Sequence, residues 1–254
     1  MKIAQSAFLA IGLAVLSGTA QAGTITSQTF DTDPVLGSSQ AAGTWYTDRY
    51  APAGFSSQDF MGDSRLALEL SEDDAQGNRT SSYSSAFYNT QGRKYDTDGA
   101  TSVSVEMYID SAWQNDASRI AGIWGSAIDA ASAISSYPII EFANGGFQVY
   151  SNGVFTSVAA TFAYDAFAKL EIALSGAFFD IFINDDKVLS FDSNGSTSIA
   201  NAILQGYNTG VERTIYFDNF VASTPAEVPL PAGLPLLISA LGAAGLIARR
   251  KKAA

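Results

Sequence analysis

Ser102-Val103-Ser104-Val105-Glu106-Met107-Tyr108-Ile109 carries the signal that decides the fold. In an extended chain Val103, Val105, Met107 and Ile109 share one side, and Ser104, Glu106 and Tyr108 the other. That is the signature of a strand with one face on a core. The same period recurs outward in both directions. Leu66, Leu68 and Leu70 alternate with Ala67 and Glu69; Leu170, Ile172 and Leu174 with Glu171 and Ala173; Phe179, Ile181 and Ile183 with Asp180 and Phe182. Asn152-Gly153, between Phe147–Tyr150 and Val154-Phe155, is a hairpin turn, and Asn184–Lys187 separates a second pair. Thr214 to Val221 reads as the last strand, and Ile199 to Leu204 as one brief helix. Many short strands joined by polar turns predict an all-β chain, a jelly-roll β-sandwich over residues 23–223.

The charge is uneven. All 25 acidic residues lie between Gly23 and Glu227, where nine of the 14 basic residues face them, so this region carries a net charge of −16. Such a surface repels nucleic acid, which is not expected as a partner. There is no cysteine and no histidine. The core must therefore hold without disulfides, and Ser-His or Cys-His nucleophile activation and the usual zinc sites are excluded.

The two ends read as addresses. Lys2, the apolar stretch Ile3–Leu16 and the small-x-small sequence Ala20-Gln21-Ala22 predict a signal peptide, residues 1–22, cut before Gly23. The expected partners there are the Sec export machinery and signal peptidase. Residues 224–227 form a linker. Val228-Pro229-Leu230-Pro231-Ala232 follows, and the prolines force it to be extended. Leu230–Ala248 is 19 uncharged residues, enough at about 1.5 Å each for one C-terminal transmembrane helix. Arg249-Arg250-Lys251-Lys252 then acts as a cytoplasmic stop.

This tail, residues 228–254, resembles the VPLPA-CTERM sorting signal, a variant of the PEP-CTERM signals of Gram-negative bacteria that export polysaccharide. The resemblance implies an exosortase-like membrane processing enzyme as partner. It also implies an inner-membrane anchored intermediate and release to the cell surface or extracellular matrix. The order of strands in the middle is a second resemblance. Tyr108-Ile109-Asp110, Trp113, Ile120–Gly125, Pro138–Phe142, the Phe147–Phe155 hairpin and Ile215–Phe220 are similar to the concanavalin A-like lectin/glucanase jelly roll.

Three chemistries were sought on that frame. Glycan hydrolysis uses paired carboxyls, which laminarinase-type relatives carry as E-x-D-x-E. No such run occurs: Glu106 and Asp110 flank Tyr108, and Glu141 and Glu171 each stand alone on a strand. A structural calcium needs six to eight oxygens, and Asp31, Asp33, Asp218 and Asn219 would supply them if the first and last strands meet. Sugar rings stack on aromatic surfaces, for which Trp113, Trp124 and Tyr150 are the chosen candidates. With no carboxylate pair, the expected role is structural and adhesive rather than enzymatic, in a protein that touches exopolysaccharide weakly. The rival readings are a calcium-dependent carbohydrate-binding module and a glycoside hydrolase or lyase.

Overall fold

The structure is a computed structural model that describes residues 22–226, and Gly23–Pro225 forms one compact unit. The signal peptide, sorting motif, transmembrane span and basic stop lie outside the described residues.

Seventeen strands are described. The first half of the chain gives β1 (Ala22–Gln28), β2 (Leu36–Gly37), β3 (Trp45–Thr47), β4 (Gly54–Phe60), β5 (Asp63–Leu70), β6 (Thr90–Ala100), β7 (Ser102–Ile109) and β8 (Arg119–Ile128). The second half gives β9 (Ile134–Ser136), β10 (Ile139–Ala143), β11 (Gly146–Ser151), β12 (Val154–Val158), β13 (Ala166–Ser175), β14 (Phe178–Ile183), β15 (Asp186–Asp192), β16 (Ser198–Tyr207) and β17 (Arg213–Ala226). They form two sheets. One runs β15-β14-β13-β7-β17-β5-β4, with β1 added on β17; the other runs β12-β11-β10-β8-β16-β6-β3-β2, with β9 added on β8. The expected all-β sandwich is present, and the first strand does pair with the last.

Alternation builds the core. Val103, Val105, Met107 and Ile109 are fully buried against Leu170 and Ile172 of the same sheet and Ile123, Phe142 and Leu204 of the other. Each such side chain contributes about 1.5–3 kcal/mol when removed from water. Trp45 anchors one end, with the rings of Phe55, Tyr95 and Phe220 centred 5.3, 5.1 and 5.2 Å away. Its indole N–H donates to Gln28 Oε1 at 2.9 Å, so the buried nitrogen is satisfied.

The turns follow the sequence. Asn152-Gly153 takes φ of 50° and 90°, the left-handed pair that a two-residue hairpin needs, and Asn184-Asp185 does so at 51° and 65°. Two expectations change. Ile199–Leu204 is not a helix but lies within β16, hydrogen-bonded to β6 on one side and β8 on the other. A bulge between Ile199 and Asn201 breaks its alternation, which made the segment look helical. And β17 continues to Ala226, past the expected domain end at Ser223, because β1 pairs along it and Thr224 Oγ1 donates to the Gly23 carbonyl.

Glycine sets the spacing in the second sheet. A Cβ on Gly122 would lie 1.9 Å from the Ile140 carbonyl oxygen, and backbone cannot yield as a flexible side chain can. Gly122→Ala is therefore expected to destabilise the fold by at least ~1–3 kcal/mol, seen as a lower urea midpoint at unchanged slope.

Candidate functional site: a cleft on the outer face of the second sheet

The face of the second sheet turned away from the core carries a cleft of about 760 Å³. Its floor can be read from the strand register. Lys94, Ile203, Trp124, Ile139, Tyr150 and Phe155 are successive cross-strand partners in one row, which Tyr46 continues beyond the cleft. At about 4.8 Å per strand the six lining residues span ~24 Å. The next row runs Gly92, Gln205, Gly122, Glu141 and Gln148. Asp48 and Arg49, the 3₁₀ turns that hold Tyr83 and Phe87, and Ile134 and Tyr137 supply the remaining lining.

A bulge places the central charge. Strict alternation along β8 would turn Arg119 inward with Ala121 and Ile123. The register instead pairs Phe142 with Ala121 and Ala143 with Arg119, so Ile120 is the extra residue and goes to the core. Arg119 is thereby turned to the outer face. Its Nε and Nη2 donate to the two oxygens of Glu141 at 2.6 and 2.7 Å, a fork-to-fork pair. Glu141 is fully buried. Burial pushes its carboxyl up from the ordinary value, and the bonds from Arg119 pull it back.

Both arginines of the cleft are stacked on rings. The Arg119 guanidinium lies 4.3 Å from the Tyr207 ring centre and 4.9 Å from that of Phe155. Arg49 lies 4.2 Å from Phe87 and 4.3 Å from Trp124. Planar guanidinium groups stack in this way and lysine does not, so the positions suit arginine specifically. Asp48 is shared by Arg49 at 3.4 Å and Lys94 at 2.8 Å. Trp124 packs edge-on to Tyr137 with centres 5.7 Å apart, and Tyr150 meets Phe155 at 5.0 Å. The Trp124 indole nitrogen and both polar atoms of the Gln205 side chain are buried with no hydrogen-bond partner among the described residues. At the far end, Asp96 accepts from Tyr46 Oη at 2.7 Å and Asn201 Nδ2 at 2.6 Å.

Of the aromatic candidates, Trp124 and Tyr150 line the cleft together. Trp113 does not: it is core, 4% exposed, against Phe142 at 5.7 Å. Its 3₁₀ turn, capped by Asp110 accepting from the Ala112 amide, turns it inward. Asp31 accepts from the Thr29 hydroxyl and Asp33 from the Ser57 amide. Asp218 is paired with Arg65 on the outer face of the first sheet, where Asn219 Nδ2 also reaches Glu106 Oε2 at 3.0 Å. Burial raises the Asp218 pKa, while the Asn219 amide and Arg65 oppose the rise. Among the described residues no group of three or more His, Cys, Asp or Glu is placed to hold a metal ion. Arg49, Lys94, Arg119 and Glu141 were missed as a set. Glu141 was noticed only as a solitary carboxylate, and the bulge that brings Arg119 to it leaves no trace in a period-two reading.

No protein-family model matches the chain, and no curated protein matches it in sequence. Solved structures do match in fold. One is a variant of a non-specific endo-β-1,3(4)-glucanase from family GH16, crystallised with an oligosaccharide: 11% identity, TM-score 0.57, covering 84% of this chain and 98% of that one. Another is an endo-β-galactosidase from Clostridium perfringens that releases GlcNAcα1-4Gal: 9% identity, TM-score 0.55, covering 86% and 66%. At such identities the likeness establishes the shared glucanase-type jelly roll and no more. The expectation of a structural, adhesive and non-enzymatic protein is corrected to this extent: these two structures that share its fold are named as glycan-cleaving enzymes and not as adhesins.

The Arg119–Glu141 pair generates a stability test. Arg119→Met leaves a buried carboxylate without its partner, expected to cost ~3–5 kcal/mol at neutral pH. The Glu141 pKa in that folded variant then lies further above its unfolded value. The neutral acid is favoured in the fold, so stability is retained below the unfolded pKa and lost as pH rises through the folded one. Urea titrations across pH should show the variant's deficit shrinking towards acid.

Proposed function

We propose that this chain is an exported glycan-cleaving enzyme, a glycoside hydrolase or lyase that holds a polysaccharide across the outer face of its second sheet. The observation that carries this reading is the cleft itself: Trp124, Tyr137, Tyr150 and Phe155 lie along a floor into which the Arg119–Glu141 pair is set. Aromatic rings offer flat apolar surfaces to the C–H faces of sugars, while arginines and amides orient the hydroxyls. A floor ~24 Å long across the strands suits a polymer bound along its length. The two matched enzymes described above, an endo-glucanase and an endo-β-galactosidase, are endo-acting by name, which agrees with a cleft that lets a chain pass through.

Hydrolysis requires two carboxyls, ~5–5.5 Å apart for retention or ~6.5–9.5 Å for inversion. Asp48 is the one carboxyl in the cleft lining, while Glu141 lies fully buried beneath the floor with both oxygens held by Arg119, so a hydrolase would require Glu141 to be uncovered. Elimination requires instead that a uronate carboxylate be neutralised, which Arg49 and Lys94 are able to do. The products separate these chemistries. Both expose a new reducing end, but elimination alone leaves an unsaturated sugar that absorbs in the ultraviolet.

The termini supply the proposed location. The Ala20–Gly23 cleavage site would deliver the domain across the inner membrane. The Val228–Ala232 motif would then hand the tail to an exosortase-like enzyme for release to the surface or matrix.

The full-length chain is expected to release reducing ends from at least one polysaccharide in a panel of β-glucans, galactans and polyuronates. Trp124→Ala should weaken binding at least tenfold, about 1.4 kcal/mol, with the thermal transition retained. Binding without release of ends from any of them would sink the cleavage reading. Mass spectrometry of the mature protein should find a C-terminus within or just after Val228–Ala232; an end at Ala254 counts against sorting.

A further inference from the structure

The cleft's charge runs against that of the chain. Between Gly23 and Glu227 acids outnumber bases by 25 to nine, yet three of those nine bases, Arg49, Lys94 and Arg119, line this one cleft. Asp48 is the one acidic residue in its lining. The pairs do not balance. Arg119 is matched by Glu141 through two hydrogen bonds. Arg49 and Lys94 share the single carboxylate of Asp48. One positive charge is therefore left over beside Trp124.

The unmatched charge is equipped to receive a ligand. The contact of Arg49 with Asp48 is made through Nε, and its two terminal nitrogens make no hydrogen bond to the protein among the described residues. The guanidinium carbon lies over the rings of both Phe87 and Trp124. Burial lowers the Arg49 pKa and Arg119 lowers it further, with Asp48 opposing, so an added anion would relieve a cost already present. Concentrating cations in an otherwise acidic molecule brings no packing gain that neutral side chains would not match, and an anion entering such a cleft is drawn by a focused local field.

We propose that the substrate is an acidic polysaccharide, its carboxylate or sulfate groups held by Arg49 and Lys94 while its rings rest on the aromatic lining. This deepens the glycan reading and rests on it. Carboxylate and sulfate share the chemistry that the cleft recognises, and the choice of probe tells them apart.

Binding of the full-length chain to three polymers provides the test: polygalacturonate, a sulfated galactan and a neutral β-1,3-glucan. At low salt at least one acidic polymer is expected to bind ten times or more tighter than the neutral one. That advantage should shrink as salt rises, since exposed ion pairs are screened. Arg49→Gln with Lys94→Gln should abolish the preference. Lys187→Gln, which removes one charge from the far sheet, should leave it intact. Stronger or equal binding of the neutral glucan overturns the acidic-substrate inference and leaves glycan binding standing. Failure of all three polymers to bind overturns both. A preference that survives the double variant places anion recognition elsewhere and overturns the assignment to these residues.

Discussion

Everything in this molecule depends on burial between two sheets. A chain with no cysteine has no covalent clamp, and the described fold offers no metal cluster in its place. The contact between the faces of Val103–Ile109, Leu170–Ile172, Ile123, Phe142 and Leu204 must supply the cohesion alone. Because that core takes every second residue, the alternate residues of the central strands are released from packing. On the second sheet those released positions are Trp124, Glu141, Tyr150, Ile203 and Gln205. The site is thus the reverse side of the core pattern, and neither can be changed in register without the other.

A departure from that pattern in β8 is what gives the cleft its ionic centre. A carboxylate buried on a sheet face is costly unless it is paired. Glu141 gains its partner through the extra residue at Ile120, which turns Arg119 out of the core and onto the same face. Tyr207 and Phe155 then fix the guanidinium plane. The second arginine uses the same device with different parts: Arg49 comes from the segment between β3 and β4, and its rings are Phe87 and Trp124. Stacking orients each cation without consuming its hydrogen-bonding edge, which is how a site keeps a donor both fixed and free.

Much of this was legible in the sequence, and the failures have physical causes. The strands at Leu66–Leu70, Val103–Ile109 and Phe179–Ile183, and the Asn152-Gly153 turn, announced themselves because each obeys a single local rule. Ile199–Leu204 misled because a bulge interrupts its alternation and because Ile203, on the outer face, is as apolar as the core residues Ala202 and Leu204 beside it. Trp124 and Tyr150 could be named as aromatic candidates, but so could Trp113, and nothing short of the fold separates a floor residue from a core residue. The arginines were invisible for a different reason. Their meaning lies in contacts 22 residues apart for Arg119 with Glu141, or spread over three segments for Arg49. Composition records that bases are scarce; it does not record that they are gathered.

The stacking of Arg49 has one more consequence. A single side chain bridges the 3₁₀ turn bearing Phe87 to the sheet bearing Trp124, so the gap between wall and floor is spanned by a rotatable stem rather than by backbone. The wall is also held from behind, where buried Arg79 donates to the carbonyls of Asp74, Tyr83, Ser85 and Tyr88 and to Asn89 Oδ1. Two arginines thus brace one wall, Arg79 tying its turns together and Arg49 tying them to the sheet.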